Sequence, residues 1–131
     1  MIYVPVSLGE LIDKITILKI KLMKIHDPRK KEHVVNEYML LSDIMKQQKF
    51  EEEDALFKQL YDLNLEFWEY HDWQRDRWAL NTDESIIDIT LYKRNRMEHM
   101  LNDRRAEIKK NINMLYKSEI VEEKQFKSYQ I

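Results

Sequence analysis

Apolar residues recur at helical spacing along most of this chain. Leu8, Leu11, Ile15, Leu18, Leu22 and Ile25 follow one another at intervals of 3, 4, 3, 4 and 3 residues, with Ile12 beside them. Such intervals keep side chains on one stripe of an α-helix. The stripe predicts a first helix opened by Ser7 as N-cap. Glu10, three residues on, completes a capping box, and Val6 and Leu11 are placed as its hydrophobic staple. The helix should stop at His26-Asp27-Pro28, because a residue before proline avoids helical geometry. Pro28 suits the first turn of a second helix, and Asp27 its N-cap. That helix, from Pro28 to about Gln48, is marked by Val34, Tyr38, Leu41 and Met45, with Val35 and Leu40 alongside. The short link makes the pair an antiparallel hairpin.

A third helix is expected from near Glu51, with Glu51, Glu52, Glu53 and Asp54 in its first turn, where the helix dipole favours anions. It carries two apolar lines. One is Leu56, Leu60, Leu63, Phe67 and Tyr70; the other is Phe57, Tyr61, Leu65 and Trp68. Two lines predict two packing neighbours. Asn81-Thr82-Asp83 reads as a break, with Thr82 or Asp83 capping a last helix over 84–117. Ile87, Leu91, Met97, Leu101, Ile108, Ile112 and Leu115 line that helix. Before the first helix, Ile2, Tyr3, Val4 and Val6 favour extended geometry, and Pro5 confines any strand there to an edge. Residues 118–131 read as a loose tail with Ile120, Val121, Phe126 and Tyr129 as anchors. The expected fold is all-α: one domain over 1–131, an antiparallel bundle of about four helices with a short extended N-terminal arm.

Composition sharpens this picture. One glycine and two prolines in 131 residues leave few turns, so the elements must be long. With 44% hydrophobic and 35% charged residues, helices with one dry and one wet face are the natural solution. Cysteine is absent, which removes disulfides, thiol nucleophiles and thiolate metal sites and suits a reducing cytoplasm, the expected location. No apolar run approaches the ~18 residues of a membrane span, and the start lacks the basic and small-residue marks of a secretion signal. The net charge of −2 argues against nucleic acid as partner. The basic last helix is also interrupted by Glu98, Asp103 and Glu107.

Candidate chemistry lies in two places. Residues 67–78 hold all three tryptophans, Trp68, Trp73 and Trp78, with Arg75 and Arg77. At about 100° per residue the three rings cannot share one face. Trp68 and Trp78 fit a common core, and Trp73 does not. The rings either fill space between helices or at a dimer seam, or they form a stacking platform for a sugar or a base, with Arg75 and Arg77 as charge partners. The second place is the last helix: eight Lys or Arg and three acids lie between Lys93 and Lys117, against eight acids and one lysine over 51–72. The two segments either pair with each other, within a bundle or across a dimer, or Arg94, Arg104 and Arg105 converge on an anionic ligand. Arg104 occupies the seam slot between Leu101 and Ile108.

No metal or cofactor is expected. His26, His33, His71 and His99 are scattered, and His99 with Asp103 reads as a surface hydrogen bond. Glu66, Glu69 and Asp72 form a one-faced carboxylate strip like those with which all-helical nucleotide pyrophosphatases hold magnesium, but the second, facing strip is missing. A single glycine, Gly9, rules out a glycine-rich phosphate loop or a nucleophile elbow.

Three stretches resemble a family of small bacterial and phage proteins without an assigned activity. They are Val4 to Leu18, with Pro5-Val6-Ser7-Leu8-Gly9-Glu10-Leu11-Ile12-Asp13-Lys14-Ile15 inside it; Asn102-Asp103-Arg104-Arg105-Ala106-Glu107-Ile108-Lys109; and Ser118-Glu119-Ile120-Val121-Glu122-Glu123-Lys124. The resemblance brings no catalytic residue and implies a lean toward surface-glycan metabolism. Leu8, Ile12, Asp13 and Ile15, with Asp27-Pro28-Arg29 after the helix, also resemble helical chorismate mutases. Those enzymes hold a dicarboxylate with arginines of the first helix, and helix one here has only lysines. What carries over is the architecture of an intertwined helical dimer. The sequence therefore predicts a homodimeric helical interaction or accessory protein. The alternative is a small helical enzyme acting on an anionic metabolite or nucleotide. It would use Arg94, Arg104 and Arg105 as anion clamps and Glu66, Glu69 or Asp72 as base or metal ligand.

Overall fold

A computed structural model of the chain describes residues 1–80 and 82–125. It consists of four helices, α1 (Leu8–Lys24), α2 (Pro28–Gln47), α3 (Ala55–Leu80) and α4 (Ile89–Leu115), with no strand among the described residues. α1 sits at the centre, packed against α2, α3 and α4, while α3 also packs on α4. α2 rests on α1 alone. The two apolar lines of α3 thus meet two helices, as expected. Centrality explains why α1 buries more than one stripe: Leu11, Ile12, Ile15, Leu18 and Ile20 are all buried. They join Met45, Phe50, Phe57, Leu60, Leu63, Phe67, Ile108 and Ile112, most of them in one core.

The caps follow the sequence at the first two helices. Ser7 Oγ accepts the Glu10 amide at 3.1 Å, and Asp27 accepts the amides of Arg29 and Lys30, each at 3.0 Å. The box is only half closed, because the Glu10 carboxylate turns to Lys109 Nζ, 2.6 Å away. Val6 stays 45% exposed, so the staple does not form as a buried pair. Two helix starts differ from expectation. Glu51 to Asp54 precede α3 as a turn, and Asp54 closes it by accepting the Leu56 amide at 2.8 Å. α4 begins at Ile89, capped by Asp88 and not by Thr82 or Asp83. Asp83 instead binds the amide and hydroxyl of Ser85, which holds the link in a turn. Residues 1–6 are exposed, with no regular secondary structure and no strand pairing among the described residues. The tail is not loose over 118–124. Ser118 Oγ accepts the Leu8 amide, Glu122 bonds Ser7, Glu123 bonds Lys110 and Lys124 bonds Asp103. Phe126 and Tyr129 lie outside the described residues.

Length sets the remaining feature. At 1.5 Å per residue α3 and α4 run to about 40 Å, and α1 to only about 25 Å. Buried residues of α3 stop at Phe67, and those of α4 begin at Ile108. The α3–α4 pair therefore projects beyond the core as a hairpin arm.

Candidate functional site

Three regions hold the polar chemistry of the molecule. The first lies at the start of α1. Asp13 and Thr16 are buried on its inner face, where Asn64 Nδ2 donates to Asp13 Oδ1 at 2.8 Å and to Thr16 Oγ1 at 2.9 Å. Lys109 Nζ lies 2.6 Å from Glu10, 3.5 Å from Glu122 and 3.9 Å from Asp13. Burial disfavours its charge, but the bond to Glu10 and the fields of Asp13, Glu10 and Glu122 outweigh this and raise its pKa. Asn113 Oδ1 receives the Gly9 amide at 2.6 Å. Three stretches far apart in the chain, around Ser7 to Asp13, Lys109 and Ser118 to Glu122, meet here around one helix end. Their polar groups are mutually satisfied and line neither cavity described below, so the cluster acts as a clasp.

The second region is a cavity of about 560 Å³ between α2 and the turn before α3, lined by Tyr38, Ser42, Met45, Lys46 and Glu51 to Glu53 among others. Glu52 takes an ion pair from Lys19 at 2.8 Å and a short bond from the Tyr38 hydroxyl. Burial, reinforced by Glu52, pushes the Tyr38 phenol up to about 12. Burial also works against the Glu52 carboxylate, but Lys19 and Tyr38 hold its pKa below the ordinary value. The Ser42 hydroxyl sits near Tyr38, buried and without a properly formed hydrogen bond. Sequence reading missed this group. The helical spacing places Tyr38 on the buried line of α2, and nothing local in Glu51-Glu52-Glu53 marks which acid turns inward.

The third region is the hairpin arm, where most of the predicted residues lie. Tyr70 bonds Asn95, and Gln74 Nε2 donates to Asn95 at 2.9 Å. His71 pairs with Glu98 at 3.0 Å. Arg77 grips Asp88 with two nitrogens, at 2.7 and 3.3 Å. The half-buried Trp73 stacks on Tyr70 and lies between two guanidiniums, Arg94 at 4.4 Å and Arg77 at 5.3 Å from its ring centre. Arg75 only bridges Asp72, one turn back, at 3.5 Å. Trp68 is half-buried, whereas Trp78, expected in the core, is 54% exposed. The core ends before that level of α3. Trp78 instead borders a shallow cavity of about 340 Å³ near the arm's tip, with Tyr92, Arg77 and Asp88.

The arginine expectation also needs correction. Arg104 is exposed, and the inward residue is its neighbour. Arg105 lies 4.8 Å over the Phe67 ring and donates to Asn102 at 2.9 Å and to Asn64 at 3.4 Å. The seam of α4 holds at Leu101, Ile108 and Ile112, which lie in or against the core, but between them the inward side chain is the half-buried Arg105 and not Arg104, a polar slot the apolar count could not see. Arg94 and Arg104 are ten residues apart, about 15 Å along the axis. With Arg105 facing inward, the three do not converge on one ligand. The strip of Glu66, Glu69 and Asp72 does not gather either: Glu69 meets Lys24 at 3.8 Å and Asp72 meets Arg75. Among the described residues no group of three or more His, Asp or Glu side chains is placed to hold a metal ion.

No family model, curated protein or solved structure matches this chain. The functional reading therefore rests on geometry. Among the described residues no helix is long and apolar enough to cross a membrane.

Proposed function

We propose that this chain is a helical interaction or accessory protein that works as a homodimer through its α3–α4 arm. The observation that carries the reading is the arm itself. Among its described residues it has no fully buried side chain, yet it displays Leu80, Ile87, Ile89, Tyr92, Met97 and Met100 to solvent. Apolar groups concentrated on a projecting element mark a contact surface. Its inner seam is polar and satisfied by Asn95, Glu98 and Asp88, so the arm holds its shape while its outside stays apolar. The enzyme alternative has less support, because Arg104 lines neither cavity and the arginines do not meet. The absence of cysteine fits work in a reducing cytoplasm. The lean toward surface glycans rests on the sequence resemblance and tells only where to look for clients.

Sedimentation equilibrium from 1 to 100 µM tests this. A species of twice the chain mass is expected. The substitutions Leu80→Asp and Met97→Asp should dissociate it without loss of helical circular dichroism. A chain that stays monomeric throughout would sink the homodimer.

A further inference from the structure

The polar clasp offers no unpaired group and the larger cavity only the Ser42 hydroxyl, but the arm has a face with a definite pattern. α1 lies on one side of the α3–α4 pair, where it touches Asn64 and Tyr61 of α3 and Lys109 and Asn113 of α4. Steps of 100° put Glu66, Tyr70, Trp73, Arg77 and Leu80 on the opposite side of α3, at intervals of 4, 3, 4 and 3. On α4 the stripe Arg94, Met97, Leu101 and Arg104 has intervals of 3, 4 and 3. The Trp73–Arg94 stack joins the two stripes into one surface facing away from α1.

The contacts inside the hairpin fix which residues lie level. Trp73 is level with Arg94, His71 with Glu98, and Arg77 with Asp88. Continued downward, this register sets Tyr70 near the level of Met97 and Glu66 near that of Arg104. Glu66 and Arg104 thus stand at opposite edges of the same surface. Both are exposed and form no ion pair among the described residues. Between Glu66 and Leu80, α3 carries four acids and two arginines, while α4 between Ile89 and Arg104 carries four bases and two acids.

We infer that a second copy of this chain covers this surface, related by a two-fold axis parallel to the hairpin. The inference rests on the homodimer reading above and specifies its interface. A rotation about that axis lays each α3 on the partner's α4 and preserves the levels. Glu66 then meets the partner's Arg104, twice, and Tyr70 meets the partner's Met97. The alternative two-fold, across the helices, would lay α3 on α3 and α4 on α4, and the α4 stripe, with Arg94 and Arg104 and no acid, would then face its own copy, base on base. Charge therefore selects the axis. The mixed apolar and arginine surface around Trp73 has the composition favoured at the centre of interfaces.

The test exploits the two-fold symmetry. Glu66→Arg alone places two arginine pairs across the interface, and Arg104→Glu alone places two carboxylate pairs there. Each variant should weaken dimerisation roughly 10-fold or more. An equimolar mixture of the two should restore it, because the heterodimer regains one Glu–Arg pair at one edge and its reversed counterpart at the other. Sedimentation at low ionic strength reads all three samples. Circular dichroism confirms that each variant is helical. Restored dimer in the mixture, and in neither variant alone, supports the interface. A dimer indifferent to both substitutions, or unrestored in the mixture, overturns the interface but leaves the homodimer standing. A monomeric wild-type chain overturns both.

Discussion

Gly9 and Lys109 touch backbone to backbone: a β-carbon on Gly9 would stand 2.5 Å from the Lys109 carbonyl oxygen and 3.0 Å from Asn113 Oδ1. The only glycine of the chain is therefore needed for close approach of α1 and α4. Alanine is worth about 1 kcal/mol more than glycine inside a helix, but here the helices must separate. Gly9→Ala is expected to destabilise by about 1–3 kcal/mol, the usual cost of overpacking. For a domain of this size that lowers the thermal midpoint by roughly 3–12 °C. A midpoint that rises would show that the helices are not in this contact.

Arg105 and Arg104 are adjacent and should behave as opposites. Arg105→Ala removes the contact with Phe67 and leaves Asn64 and Asn102 short of a donor. A loss of about 1.5–3 kcal/mol is expected, in the range for hydrogen bonds to a charged group. Arg104→Ala, read by chemical denaturation at concentrations too low for association, should stay within about 0.5 kcal/mol of wild type, as exposed sites do. Equal effects would mean that Arg105 is not the inward-facing arginine of α4.

The fold was largely readable because α1, α2 and α3 obey one periodic rule, and Ser7 and Asp27 are caps by chemistry as well as position. What escaped has physical reasons. Apolar counting cannot find a buried layer made of Asp13, Thr16, Asn64 and Asn113, whose partners come from other helices. It also cannot tell that Ile87 and Leu115 keep the spacing of a core without reaching one, since burial depends on where α1 ends. The ends of α2 and α4, at Gln47 and Leu115, fall within two residues of the expected Gln48 and Lys117 even without the usual glycine. Lys49 and Lys117 hold the left-handed backbone there, at φ 59° and 54°, where a glycine would have announced the stop. Of the proposed binding residues, Trp73, Arg77 and Arg94 do come together, but Arg75 and Arg104 stand apart.

Those two lysines give a prediction of opposite sign to Gly9. A non-glycine residue in the left-handed region is strained by about 1 kcal/mol. Lys49→Gly and Lys117→Gly should each stabilise the fold by roughly 0.5–1 kcal/mol. Among the described residues neither lysine makes a side-chain bond that would be lost. Urea midpoints measured on both single variants check this, and a lower midpoint would refute it.

The Tyr38–Glu52–Lys19 group fixes a pH dependence at both ends. The Glu52 carboxylate is held below its ordinary value of 4.5, so its contribution is complete above that value and is lost as pH falls through the folded value. Tyr38 is raised from 10.0 to about 12, so the folded state keeps its proton longer and stability declines as pH rises between those values. Glu52→Gln should converge with wild type in urea titrations as pH falls through the lowered folded-state value of Glu52, and Tyr38→Phe should flatten the alkaline limb. Parallel curves at all pH values would exclude the group as the source.

The clasp at the start of α1 has a consequence for synthesis. Gly9 receives its partner Asn113 from 104 residues further along the chain, and Ser7 and Leu8 wait for Glu122 and Ser118. At about 5–20 residues per second, α1 leaves the ribosome roughly 5–20 s before the groups that bury it exist. Until α3 has emerged, α2 is the only helix available to shield a segment apolar on nearly every side. The α1–α2 hairpin is then the form in which a half-made chain must stay soluble, and chaperone demand should concentrate on nascent chains that end before α4.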